Sequence, residues 1–336
     1  MSCIMNMNRL IIPNDIITKL TMIYTYIGRS EIFENTVGND LDRIVSQTVE
    51  RDAYFFAKIT NIELTDARMR LIITKDSEPR NKDEATLYGV KELLKSFHVN
   101  KNSFGTQSND LINLVNYIHP NQNIKYDYDE AEHKSILQSQ GMKSKRIIVD
   151  EINDEVNLIT RKKDLEKIVL NIHYFIDIYN LKPFALKNEE VSYLLLYLLL
   201  LKCNITSMKY ASLFEFIYND FDRFESELKN ASYNWKEGYS QSLGFVRLMM
   251  ELIIKTFERT EDIIKEYKFD SSLNKSDNVE NTIIKLPEIF TKEDIRLEHP
   301  YVSESTINRT LSKLRQEKII KPLAKGRSAK WIKIKG

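Results

Sequence analysis

The chain has 336 residues, with 49 Lys plus Arg against 48 Asp plus Glu, 42% hydrophobic and 29% charged residues, and only 9 Gly and 7 Pro. That excludes a disordered, collagenous or small disulfide-stapled chain and fits a soluble globular protein of two or three domains. Cys3 and Cys203 form no CxxC pair, so the sequence gives neither a disulfide framework nor a zinc site and reads as belonging to a reducing compartment.

The longest apolar run, Val191 to Leu201, is about half of the ~20 residues that a membrane-spanning helix needs. It reads as a buried core helix, and no membrane partner is expected. Met1 to Arg9 lacks the basic, apolar and small-residue segments of a secretory signal, which makes the cytoplasm the expected location. Charge is unevenly spread. Residues 281–336 carry 13 basic against 6 acidic side chains, and residues 1–280 carry 36 against 42. A basic end on an acidic body points to nucleic acid or another anionic surface at that end.

In chain order, three- and four-residue apolar spacing predicts helices over 15–26, 41–58 and 65–73, the last capped by Thr65. The polar stretch from Lys75 to Asp83 contains Pro79 and reads as a loop, after which helices follow over 84–97 and 110–118, the second ended by His119-Pro120. Arg146 to Val149 and Glu155 to Ile159 are β-branched runs around Asn153-Asp154, a β-hairpin signal. Two strongly apolar helices follow, 164–179 and 189–202, joined by a short segment where chemistry is sought. Helices are predicted again over 213–218, 223–231 and 238–267, and polar residues 270–281 read as a linker.

The tail predicts a short helix over 291–297, a turn containing Pro300, and a second helix capped by Ser303 with an Ile307, Leu311, Leu314 stripe. Ile319 to Leu323 and Lys330 to Lys335 then read as strands around Lys325-Gly326-Arg327. Helix, turn, helix and basic hairpin make a winged helix-turn-helix. On DNA, Ser305, Asn308, Arg309, Ser312 and Lys313 would enter the major groove, and Lys325, Arg327 and Lys330 would meet phosphates. Such a module also serves protein docking and dimerisation, so a protein partner and a homodimer stand beside DNA.

Five segments carry a family resemblance: Ile27-Gly28-Arg29-Ser30-Glu31, Thr60-Asn61-Ile62-Glu63-Leu64-Thr65, Tyr193 to Lys202, Lys209-Tyr210-Ala211-Ser212-Leu213, and Trp235-Lys236-Glu237-Gly238. In order and spacing the chain resembles the Fic (filamentation induced by cAMP) family across nearly its whole length. The resemblance implies a mainly α fold: a Fic-like helical bundle with a small β-hairpin flap, plus the C-terminal winged helix-turn-helix. It implies an N-terminal helical region over 1–100 with an inhibitory-helix-like segment at 56–73, a core over 101–269, the linker, and the winged module over 282–336.

The family motif is His-Pro-Phe-x-Asp-Gly-Asn-Gly-Arg-x-x-Arg, and its chemistry is transfer of AMP from ATP to a hydroxyl. The His is the base, the acid holds Mg²⁺, the Gly-Asn-Gly backbone cradles phosphate and the arginines bind phosphates. The matching segment is Lys182-Pro183-Phe184-Ala185-Leu186-Lys187-Asn188-Glu189-Glu190-Val191-Ser192-Tyr193, in which only Pro183, Phe184 and Asn188 agree. Lys182 takes the base position, Leu186 the metal position, Lys187 and Glu189 the glycines, and Glu190 and Tyr193 the arginines. Leu186 cannot hold Mg²⁺, Glu190 is negative where triphosphate oxygens would lie, and side chains at 187 and 189 crowd a backbone approach that glycine permits. Lys182 would act as a base only if desolvation lowered its pKa from about 10.4.

The resemblance places Glu63 at the inhibitory glutamate, whose arginine partner is Tyr193 here, leaving Lys182 or Lys187 for it to pair with. His119 reads as the end of an earlier helix, His173 as a core histidine, and His98, His133 and His299 as isolated. The expectation is a degenerate Fic protein that acts as a regulatory or binding module and needs no cofactor. ATP and Mg²⁺ enter only if the family activity is retained. The alternative is a nucleotidyl- or phospho-transferase of altered chemistry that uses Lys182.

Overall fold

The computed structural model describes residues 12–120, 122–129, 143–162, 165–271, 275–299, 302–323 and 330–334. Helices dominate, as the apolar spacing predicts, and they begin where polar side chains can accept the unpaired first N–H groups. Thr65 accepts from Arg68 N–H at the start of Asp66–Lys75, Asn81 from Glu84 N–H before Lys82–Asn100, and Glu166 from Ile168 and Val169 N–H before Lys167–Leu181.

Backbone contacts divide the chain into two bodies, Met1–Ser30 with Thr48–Glu258, and Glu31–Gln47 with Arg259–Gly336. This division follows neither boundary expected at residue 100 nor the one at 270. The first body contains α1 (Asn14–Gly28), most of α3 (Leu41–Ile59), α4 (Asp66–Lys75), α5 (Lys82–Asn100), α6 (Ser108–Ile118), α7 (Lys145–Lys162), α8 (Lys167–Leu181), α9 (Asn188–Lys202), α10 (Leu213–Asn219), α11 (Phe221–Ser232) and the first half of α12 (Leu243–Ser271). The helix α2 (Ser30–Val37), which the sequence reading did not anticipate, falls almost wholly in the second body.

The centre of the first body is α9. Every residue from Glu190 to Leu201 is buried, because α9 packs on α8 and meets α5 and α6. A helix apolar all round belongs in a core, and no described helix is long and apolar enough to cross a membrane. Gly89 lets α5 lie against the end of α6, since a Cβ there would stand 3.2 Å from Ile118 Cα.

The hairpin expected over 145–160 is not formed: these residues belong to α7. Val149, Ile152, Val156 and Ile159 are buried at three- and four-residue spacing, and burying that face outweighs the few tenths of a kcal/mol by which β-branched residues disfavour a helix. The small strand pair lies just before it, β1 (Tyr128–Asp129) antiparallel to β2 (Lys143–Ser144), with Tyr128 opposite Ser144. Likewise, residues expected as a linker are occupied by the end of α12 and by α13 (Lys275–Lys285), which buries Val279 and Ile283. The helix expected from 238 starts at Leu243, and Gly238, at φ 75°, sits in the preceding turn.

In the second body α13 is followed by β3 (Ile289–Phe290), α14 (Lys292–Glu298), α15 (Glu304–Gln316), β4 (Ile320–Pro322) and β5 (Trp331–Lys333), with antiparallel strand order β3-β5-β4. Thr291 and Asp294 form a capping box on α14, and Ser303 caps α15. Ile295, Ile307, Leu311, Leu314 and Ile320 close a core with Phe290, against which Trp331 packs. Lys333 Nζ donates to the carbonyls of Ile284, at 2.7 Å, and Leu286, capping the C-terminal end of α13.

Candidate functional site

The loop between α8 and α9 is turned by two residues in the left-handed region, Lys182 at φ 46° and Lys187 at φ 64°. Family glycine is expected where φ is positive, yet here a lysine accepts that strain at position 187. Between them Phe184 is buried, and its ring meets Tyr126 at 4.7 Å between centroids. The segment before β1 runs antiparallel along the loop: Asp127 N–H donates to Pro183 O at 2.9 Å and Ala185 N–H to Lys125 O at 3.2 Å. Lys145 reinforces this edge by donating to Asp127 Oδ2 at 3.2 Å and to Lys182 O at 3.1 Å.

Each motif position has a partner within the protein or lies in the open. Asn188 folds back on the loop, its Oδ1 accepting from Phe184 N–H at 2.8 Å and its Nδ2 donating to Phe184 O at 2.7 Å. Lys187 Nζ stands 2.9 Å from Glu190 Oε1. Glu190 is buried, whereas Tyr193 is buried among Phe175, Tyr179 and Phe224 and donates its hydroxyl to Glu189 Oε1 at 3.0 Å. Burial raises the Glu189 carboxyl above its usual range, with the charges of Glu190 and Glu225 adding to the effect and Lys182 opposing it. Lys182 is exposed, and so is Leu186 at 58%. The two carboxylates lie in the first turn of α9, where the helix N-terminus favours negative charge.

Mg-ATP does not fit this donor set. Leu186, which the resemblance sets at the metal position, is exposed and aliphatic, Glu190, which it sets at a phosphate-binding position, is a buried acid, and Lys187 is paired with Glu190.

His119 stands at the end of an earlier helix, as the sequence reading has it, but its surroundings were not legible there. His119 caps the end of α6 and is buried, and its Nδ1 lies 3.0 Å from Thr86 Oγ1. Because Thr86 donates its proton to Lys82 O, His119 must be the donor in that pair, which leaves Nε2 as a bare, buried acceptor without a partner among the described residues. Burial holds its pKa down at about 4, while the charges of Glu190 and Lys187 act on it in opposite directions. Sequence distance hid this: 71 positions separate His119 from Glu190, and the close approach of α5 and α6 decides where the ring sits.

Glu63 pairs with neither expected lysine. It is exposed before α4, and Lys187 is committed to Glu190. His173 is a satisfied core histidine, bonded to Val169 O at 2.8 Å and Ser242 Oγ at 2.9 Å. Two histidines read as isolated are not: His98 Nε2 lies 2.8 Å from Tyr197 Oη, and His299 bonds Thr282. His133 lies outside the described residues.

In the second body, Ser305, Asn308, Arg309, Ser312 and Lys313 share the exposed side of α15. Lys313 is drawn to Glu280 on α13 at 2.8 Å and to Glu317 at 4.0 Å, and Ser305 Oγ lies 2.9 Å from Ser303 Oγ. Lys330 is exposed beside β5, whereas Lys325 and Arg327 lie outside the described residues.

No protein-family model and no curated protein matches the chain. Solved structures do. A Fic family protein from Desulfovibrio desulfuricans G20 is 14% identical with a TM-score of 0.55, over 97% of this chain and 98% of that one. A Fic domain containing signaling protein from Bacteroides thetaiotaomicron VPI-5482 is 14% identical with a TM-score of 0.51, over 72% of this chain and 98% of that one. At that identity the likeness is one of fold: the chain has a mainly α, Fic-like fold.

Proposed function

We propose that this chain uses a Fic-like scaffold without AMP transfer and works as a regulatory or binding module, its second body acting as a winged helix on DNA. The observation that carries the first half is the self-contained motif loop. Asn188 is spent on Phe184, Lys187 on Glu190 and Tyr193 on Glu189, and the first turn of α9 is acidic. The DNA half is supported by the helix, turn, helix and three-stranded sheet, together with the surplus of basic side chains over acidic ones in residues 281–336, 13 against 6.

The alternative, transfer of another phosphate-bearing group with Lys182 as base, has less support, because Lys182 is exposed and use of a lysine as a base calls for desolvation. The test is calorimetry with Mg-ATP and other nucleotides, with label transfer into a cell lysate read by mass spectrometry, for wild type and Lys182→Ala. Neither binding nor an adduct is expected. An adduct that depends on Lys182 overturns the proposal in favour of altered chemistry.

For DNA, fluorescence anisotropy with duplexes should give an affinity that falls steeply with salt and weakens in Arg309→Ala and Lys330→Ala. A salt-independent or absent signal assigns that face to a protein partner or to a second copy, which light scattering distinguishes.

A further inference from the structure

Away from the motif loop, α3, α5, α9 and α10 are joined by one buried chain of hydrogen bonds. Asp52 on α3 is fully buried, and three donors meet its carboxylate. Ser212 Oγ at 2.7 Å and Phe214 N–H at 3.0 Å donate to Oδ1, and Tyr197 Oη of α9 donates to Oδ2 at 2.8 Å. Ser212 in turn accepts from Glu215 N–H at 3.1 Å, at the start of α10. Beyond Tyr197 the chain continues to His98 Nε2 of α5, at 2.8 Å.

The directions of these bonds are fixed from the carboxylate outward. Tyr197 has one proton and gives it to Asp52, so His98 must donate through Nε2. Its Nδ1 is then an acceptor, buried and without a partner among the described residues. Asp52, Tyr197 and Ser212 are at most 1% exposed, whereas His98 is half-buried and lines a cavity of about 210 Å³ between the ends of α5 and α9. The chain has one open valence, on its member nearest to solvent.

A neutral carboxyl fits the same positions with the directions reversed. Oδ2–H would donate to Tyr197 Oη, Tyr197 to His98 Nε2, and Nδ1 would carry a proton, while Ser212 and Phe214 N–H keep Oδ1 as their acceptor. No hydrogen bond of the chain is lost in the exchange.

We propose that His98, Tyr197 and Asp52 form a proton relay that carries one proton from the cavity to the buried carboxylate and turns His98 Nδ1 from acceptor to donor. A proton from solvent bonds to Nδ1. The Nε2–H bond breaks as Tyr197 Oη takes that proton, and the original Tyr197 O–H bond breaks as Asp52 Oδ2 takes the other. The net change is one carboxylate converted to a carboxylic acid, with His98 neutral before and after but in its other tautomer. Two environments keep the proton on the acid and not on the ring. Burial pushes Asp52 up to about 7 against its three donors, with the charge of Glu215, itself paired with Arg51, adding to the rise. Burial holds His98 down at about 4, and the charges of Lys209 and Lys101 add to that effect.

The test is nitrogen-15 NMR of the full-length chain labelled at histidine, with carboxyl carbon-13 label at aspartate, followed across the Asp52 titration. His98→Gln assigns the His98 signals. As pH falls, wild-type His98 should pass from Nε2–H to Nδ1–H without becoming charged, at the midpoint of the Asp52 carboxyl, about 7. Asp52→Asn should hold His98 as Nδ1–H on both sides of that midpoint, because Ser212 and Phe214 N–H claim the amide oxygen and leave its NH₂ to donate to Tyr197. Tyr197→Phe should uncouple the His98 tautomer from the Asp52 midpoint. The wild-type comparison requires no variant to fold, and circular dichroism checks the fold of each variant. A wild-type His98 that keeps Nε2–H throughout, or that becomes imidazolium at the Asp52 midpoint, overturns the proposal. So does a His98 that still follows that midpoint in folded Tyr197→Phe.

Discussion

Replacing Asn188 by alanine removes the two hydrogen bonds that clasp Phe184, at 2.8 Å to its N–H and 2.7 Å to its carbonyl. A neutral hydrogen bond contributes about 1 kcal/mol net, so the pair accounts for about 2 kcal/mol. A further 1 kcal/mol or so follows if water fails to replace the lost partner at the half-buried Phe184 backbone. An opening free energy lowered by 2 kcal/mol corresponds to roughly 30-fold faster exchange of the Phe184 amide, since 1.4 kcal/mol is tenfold. Hydrogen–deuterium exchange read at peptides covering residues 183–186 measures it. Asn188→Asp sharpens the test, because it keeps the acceptor for Phe184 N–H but sets an oxygen against Phe184 O, so its exchange should be at least as fast as that of the alanine variant. If Asn188→Ala leaves exchange within about twofold of wild type, the loop is not held by this side chain. Asn188 would then be available to a ligand instead of being committed to the loop.

Stability should depend on pH in two opposed windows. His119, held down at about 4 by burial, contributes stability that is complete above its ordinary value near 6.5 and is lost as pH falls through about 4, so His119→Gln should soften the acid limb of thermal unfolding. Asp52, pushed up to about 7 by burial against bonds from Ser212, Phe214 N–H and Tyr197, contributes stability that is complete below about 4 and is lost as pH rises through about 7. Asp52→Asn should flatten that upper window. Trp235→Phe loses the indole donor to Asp177 Oδ1 at 2.6 Å and should cost about 1.5–3 kcal/mol in denaturant unfolding. Lys333→Met uncaps α13 and should destabilise the second body by about 1 kcal/mol, followed by the fluorescence of Trp331. Leu195→Ala, at a fully buried position of α9, should cost about 2–5 kcal/mol.

Local signals located most of the helices. Thr65 and Ser303 are caps because their oxygens reach N–H groups three residues on, a rule that depends on chain neighbours alone. The all-apolar run in α9 announced a core helix, and the Ile307, Leu311, Leu314 stripe announced the face of α15 that closes its core. Where competing local signals were of similar size, packing decided. Residues 145–160 are β-branched and contain Asn153-Asp154, yet Val149, Ile152, Val156 and Ile159 also form a helical face, and the neighbours they bury against selected the helix. The polar stretch from 270 hid Val279 and Ile283, two apolar residues whose value appears only when a core receives them.

The sequence by itself determined which side chains stand at 186, 187, 189 and 190, one aliphatic, one basic and two acidic, and so the chemistry that the loop can offer. It also determined the charge of the two ends of the chain and the helical character of the whole. Only the tertiary structure decided which partners these residues take: Asn188 clasps Phe184, Lys187 pairs with Glu190, and His119 is buried against Thr86. Composition and periodicity are properties of neighbours along the chain, whereas hydrogen-bond partners, burial and local potential are properties of neighbours in space.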